Sequence, residues 1–182
     1  QVPVPQPDGS WMVGPPTPTG RLMGRPFFVL SPSTSLLVTP LHAAHAALGG
    51  KLVDFAGWKM PLDYGSILVE ARTVRAGAGL FDVSHMARFR FSGPAAQDEL
   101  DHALGARMTD LPVGKARYSL LLAEDGGILD DLIVYRAMEE NFFMVVNASN
   151  RARDWEALLS RLDRTDAEDL TMDGGGILAL QG

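Results

Sequence analysis

A chain of 182 residues has room for one ordinary core and part of a second domain. Its net charge of −6 and pI of about 5.1, without a basic stripe, argue against a nucleic-acid partner, which clustered Lys and Arg would hold. There is no cysteine, so disulfides and thiolate chemistry are excluded.

Residues 1–38 are dense in Pro and Gly, poor in charge and without a persistent period, and are expected to form an unstructured or presequence-like extension. Arg21 and Arg25, almost without acidic company, suit a transit segment, and an over-extended reading frame is the other option. Phe27 to Val38 is apolar but is interrupted by Pro32 and serines, far short of the roughly 20 residues of a membrane helix. No membrane partner is expected.

From Thr39 the composition becomes globular. Pro40 starts a helix over 41–48 that Gly49 and Gly50 stop, and Lys51 to Phe55 is extended. Pro61 marks Gly57 to Pro61 as a loop. Ser66 caps a helix running to Ala76 with an inner stripe of Ile67, Ala71, Val74 and Ala78. Gly77 and Gly79 follow a helix and lack a third glycine, so a dinucleotide loop is rejected. Leu80 to Met86 shows no long period, whereas Arg88 to Phe91 alternates as a half-buried strand.

Ser92-Gly93-Pro94 turns into a helix with Ala96, Leu100, Ala103 and Leu104 inward. Residues 116–122 form the first strand of a hairpin, Tyr135 ends the second, and Phe142 to Val146 is a third. Asn147 and Asn150 offer caps for a helix carrying Trp155, Leu158, Leu159 and Leu162, and Ile177 to Leu180 is a last strand. The order strand, helix, three strands, helix, strand predicts an α+β fold: an antiparallel sheet with helices on one face, an elaborated split βαβ layout.

The hairpin's second strand is the stretch with chemistry. Glu124-Asp125-Gly126-Gly127 supplies the turn, and side chains then alternate. Ile128, Asp130, Leu132 and Val134 share one face, and Leu129, Asp131, Ile133 and Tyr135 the other. Both faces are apolar, so the strand reads as covered on both sides, with one carboxylate on each. A carboxylate there either satisfies turn amides near the hairpin start, the role that suits Asp130, or awaits a ligand, the role that suits Asp131. The histidines His42, His45, His85 and His102 have no metal spacing with carboxylates, and no metal is expected; His42 and His45 read as exposed or half-buried neighbours.

Thr39-Pro40-Leu41, Val53 to Pro61, Gly79 to Met86, Gly126 to Tyr135 and Val145 to Ala148 together resemble, in the same order, the aminomethyltransferase family of the glycine cleavage system. The resemblance covers about residues 39–182 and only the first part of that family's usual chain, so the folate-binding domain is expected to be truncated and its pocket incomplete. It implies transfer of a methylene carbon from the aminomethyl adduct on a lipoylated H protein to tetrahydrofolate, the co-substrate, with release of ammonia. It also implies that Asp131 is the catalytic carboxylate and that Met86, Tyr118, Asp131, Tyr135 and Asn147 contact folate. His85 is then a structural loop histidine. The implied place is the bacterial cytoplasm, or else the mitochondrial matrix.

Two other readings stand beside this one. Folate domains similar to it occur in dimethylglycine and sarcosine dehydrogenases and in sulfoniopropionate demethylases, with altered chemistry. Non-catalytic folate modules linked to iron–sulfur maturation rely on a reactive cysteine motif, which this chain lacks.

Overall fold

A computed structural model describes residues 35–182, together with two short strands, β1 (Val4–Pro5) and β2 (Trp11–Met12), which pair antiparallel with each other. The rest of the extension expected over 1–38 lies, up to residue 34, outside the described residues.

The centre is a five-stranded antiparallel sheet in the order β10-β6-β9-β8-β7. Its strands are β6 (Ala87–Ser92), β7 (Ala116–Leu122), β8 (Ile128–Met138), β9 (Asn141–Val146) and β10 (Asp166–Asp169). Helix α3 (Ala96–Ala103) links β6 to β7, and α4 (Arg151–Leu159) links β9 to β10. The four strands β10-β6-β9-β8 have the sheet order of a split βαβ pair, with β7 added at the edge, so the predicted α+β layout is the observed one.

Alternation decides which residues meet the helices. Phe89, Phe91, Leu121, Leu132, Val134, Phe142, Met144 and Val146 point to one side, where Leu100 of α3 and Leu158 of α4 close a core. Trp155 packs on Phe89 at 4.8 Å between ring centres. The opposite side shows Tyr118, Asp131, Tyr135 and Phe143, all exposed. Among the described residues the expectation that β8 is covered on both faces is not met: helices lie on one face only, and apolar residues on the other face are left open.

Two small sheets complete the described chain. After α1 (His42–Ala47), β3 (Lys51–Phe55) and β4 (Trp58–Asp63) pair through a two-residue turn in which Ala56 and Gly57 have φ of 52° and 81°, as a primed turn requires. The predicted loop over Gly57 to Pro61 is thus mostly strand. Pro61 is tolerated because the sheet has only two strands, and a proline without N–H can sit at such an edge. Leu37, expected in the irregular extension, forms a parallel bridge to Trp58: its N–H donates to the Gly57 carbonyl at 2.9 Å, and its carbonyl accepts from Lys59 N–H at 2.8 Å.

The second small sheet pairs β5 (Gly79–Asp82), unseen in the sequence, with β11 (Leu178–Gln181). Helix α2 (Ile67–Ala76) has the predicted Ser66 cap, whose Oγ accepts from Val69 N–H at 3.4 Å. Its predicted inner stripe is not buried, because none of its residues is covered within the described chain. Strand β10 was missed as well; its sequence, Asp-Ala-Glu-Asp, has no apolar alternation to see.

Candidate functional site

Sheet register assembles the predicted residues. Leu120 faces Asp131, Ile133 faces Val145, and Ala87 faces Val146. One step further along the same ladders, Met86, Asn147, Asp131 and Leu120 form a row across the sheet. Strands lie about 4.8 Å apart, so Met86 stands roughly 10 Å from Asp131, with Asn147 between them. Met86 is fixed in the turn before β6, where its N–H donates to the Val83 carbonyl at 3.0 Å.

Tyr118 is diagonal to Asp131, and its hydroxyl donates to Asp131 Oδ2. That bond, more than the nearby negative charge, holds the Tyr118 phenol above its ordinary pKa. Asn147 Nδ2 donates to Asp131 Oδ1 at 3.1 Å and to the Asp131 carbonyl at 3.2 Å. Tyr135 is not in this cluster: it is four residues along β8, roughly 13 Å away, and pairs across the ladder with Phe143.

The surroundings of Asp131 differ from the dry, covered setting expected for it. Asp131 lies on the open face, and two cavities, of about 320 and 660 Å³, lie elsewhere and are not lined by it. Asp130 is the buried one of the pair, 4 % exposed. It does not serve the hairpin turn; Asp125 takes that part, accepting from Gly127 N–H at 2.9 Å.

Asp130 instead receives Asn147 N–H at 3.1 Å, Asn147 Nδ2 at 2.8 Å and Asn150 Nδ2 at 2.7 Å. Asn147 and Asn150 therefore do not cap α4 with their side chains, as the sequence suggested; they tie the β9–α4 junction to β8. Behind them Asp154 is fully buried beside Asp130, a pairing that becomes a hydrogen bond only when one of the two carboxyls carries a proton. Burial pushes the Asp130 carboxyl up, but the bonds from Asp154, Asn147 and Asn150 outweigh it and hold it below its ordinary value. Burial first, then the bond to and charge of Asp130, push Asp154 up to about 7, against the pull of Arg153.

Sequence reasoning missed Asp154 and the role of Asn150. The signal was present: Asp154 is one helical turn before buried Leu158, a carboxylate in an apolar stripe.

A separate relay runs through the wall of the larger cavity. His45 Nε2 bonds Asp82 Oδ2 at 2.7 Å, His45 Nδ1 bonds the Tyr64 hydroxyl at 2.5 Å, and Thr39 Oγ1 donates to Asp82 Oδ2 at 2.7 Å. His45 is buried, not exposed or half-buried as expected, whereas His42 is half-buried. His85 packs edge-on against Phe55, and burial, opposed by the charge of Asp82, lowers its pKa. Among the described residues no group of three or more His, Cys, Asp or Glu is placed to hold a metal ion, and no helix is long and apolar enough to cross a membrane.

Comparison with known proteins gives a consistent result. The family model described as GCVT N-terminal domain matches residues 41–182. The aminomethyltransferase of Saccharopolyspora erythraea is 46 % identical over 146 residues, 79 % of this chain and 40 % of the relative. That of Streptomyces coelicolor is 48 % identical over 151 residues, 82 % of this chain and 41 % of the relative. The crystal structure of glycine cleavage system aminomethyltransferase T from Bartonella henselae superposes with a TM-score of 0.76 at 42 % identity, covering 81 % of this chain and 41 % of that one. The chain thus spans about two fifths of the length of these relatives.

Proposed function

Because this chain belongs to the GCVT N-terminal domain family, we propose that its open sheet face is the tetrahydrofolate-facing surface of an aminomethyltransferase of glycine cleavage. In the proposed reaction the methylene carbon of an aminomethyl adduct on a lipoylated H protein passes to two nitrogens of tetrahydrofolate, its bonds to sulfur and to the amino nitrogen break, and the reduced lipoyl arm and ammonia leave. The dehydrogenase-type and non-catalytic alternatives are not favoured, since the relatives quoted are aminomethyltransferases. The bacterial relatives support a cytoplasmic setting.

The observation that carries the proposal is the clamped carboxylate on an aromatic face. Tyr118 donates to one Asp131 oxygen and Asn147 to the other, so the group is oriented while each oxygen keeps a lone pair for an incoming donor. Asp131 accepts the proton of the attacking folate nitrogen, as a general base, and stabilises positive charge on the carbon in transit. Tyr118, Tyr135 and Phe143 offer flat apolar area for a ring system, and Met86 offers a pliable edge. A charge is stabilised far more strongly in a dry site than in water, so the role requires this face to be covered by ligand and further protein when the carbon moves.

Titration of the 182-residue chain with tetrahydrofolate, followed residue by residue by NMR, tests the proposal. Shifts are expected at Tyr118, Asp131, Asn147 and Tyr135, and Asp131→Asn should abolish those nearest the pterin. Shifts confined to other surfaces, or an identical response from Asp131→Asn, would remove the assignment.

A further inference from the structure

The buried acid behind the clamp has no part in the reaction described so far. Asp154 is fully enclosed, and as an ionised group neither of its oxygens has a hydrogen-bond partner among the described residues. A buried carboxylate in that condition is costly. Its acidic neighbour is Asp130 of β8, and two ionised carboxylates side by side have no proton to share. With one proton added, the orphan becomes a donor to Asp130 and both groups are satisfied.

The charged groups that act on Asp154 are Asp130 of β8 and Arg153 of its own helix. The Arg153 Nε lies 3.7 Å from Asp154 Oδ1, its side chain is half exposed, and one guanidinium nitrogen is already donated to the Leu129 carbonyl. Arg153 therefore only partly offsets a second negative charge. The uncharged donors on that side, Asn147 and Asn150, both go to Asp130.

Asn147 is where the buried pair meets the open face. Its amide reaches Asp130 Oδ1 at 2.8 Å and Asp131 Oδ1 at 3.1 Å. An amide has two hydrogens, so a change in the demand of Asp130 changes what Asp131 receives. We propose that Asp154 is a positioning residue: it carries a proton donated to Asp130, and the protonated pair, acting through Asn147, sets the orientation of the Asp131 carboxylate. Loss of that proton leaves two charges in the core, draws the Asn147 amide onto Asp130 and loosens the clamp on Asp131. The functional meaning of this device rests on the reading of Asp131 above, whereas the proton and its coupling do not.

The test follows the side-chain carboxyl carbons of Asp130, Asp131 and Asp154 by NMR across pH, in the 182-residue chain without ligand. Expected is an Asp154 inflection near neutrality, in the range given by its pKa of about 7, with a second inflection of the same midpoint sensed at Asp131. In Asp154→Asn, whose amide still donates to Asp130, the neutral inflection at Asp131 should be lost. In Asp131→Asn the Asp154 inflection should remain. Titration of Asp154 in the ordinary carboxylate range, or no response at Asp131, would overturn the proposal. Should Asp154→Asn fail to fold, the wild-type curves alone decide both points. No folate enters this experiment, so its failure is distinguishable from failure of the folate reading.

Discussion

Tyr118 and Asp131 are bonded diagonally across the β7–β8 ladder, hydroxyl to carboxylate, on the face that no helix among the described residues covers. This contact keeps the phenol protonated beyond its ordinary range. Asp131→Asn replaces the charged acceptor by a neutral, weaker amide oxygen, so the Tyr118 phenol should ionise at lower pH. Ultraviolet titration of the phenolate reads the change, and an unaltered curve would mean that the two side chains do not meet in solution.

The two faces of the sheet should differ sharply under truncation. Phe89→Ala removes a fully buried ring packed on Trp155 and should cost about 3–5 kcal/mol. Phe143→Ala, on the open side of the adjacent strand, should cost less than about 1 kcal/mol. Urea unfolding of both variants checks the difference; equal losses would show that the open face is covered after all.

Stability should fall as pH rises through the Asp154 window. Its folded pKa, about 7, lies above the ordinary 3.8, so the folded chain retains a proton that the unfolded chain has lost between these values. The stabilisation is complete below about pH 4 and gone above about pH 7. Asp154→Asn should therefore gain on the wild type by about 1–3 kcal/mol at pH 8 and by little at pH 4. Denaturation midpoints at the two pH values make the comparison.

Asp82 has the opposite sign. Burial pushes it up, yet bonds from Ser84, His45 and Thr39 prevail and hold it below its ordinary value. Its contribution is present above the normal carboxylate range and is lost as pH falls through the folded value. His45→Ala breaks the relay to Tyr64, leaves a buried carboxylate short of a partner, and should cost about 2–4 kcal/mol near neutral pH. Chemical denaturation with a loss below about 1 kcal/mol would show the relay to be incidental.

The sequence by itself determined the hairpin at Gly126-Gly127, the inward stripe of α3 and the alternation that separates Asp130 from Asp131, because turn chemistry and the two-residue period of a strand are local properties. It could not say which face the helices cover. Both faces of β8 are apolar, and the choice depends on where α3 and α4 pack, a matter of partners distant in the chain. The same limit hid the β5–β11 pairing and the Asn147–Asp130–Asp154 cluster, since a hydrogen bond between a strand and a later helix leaves no period behind. Tertiary structure alone decided that one aspartate is locked inside beside a second buried carboxyl while its neighbour looks outward. Adjacent strand residues point to opposite sides, and only one side of this sheet is dry.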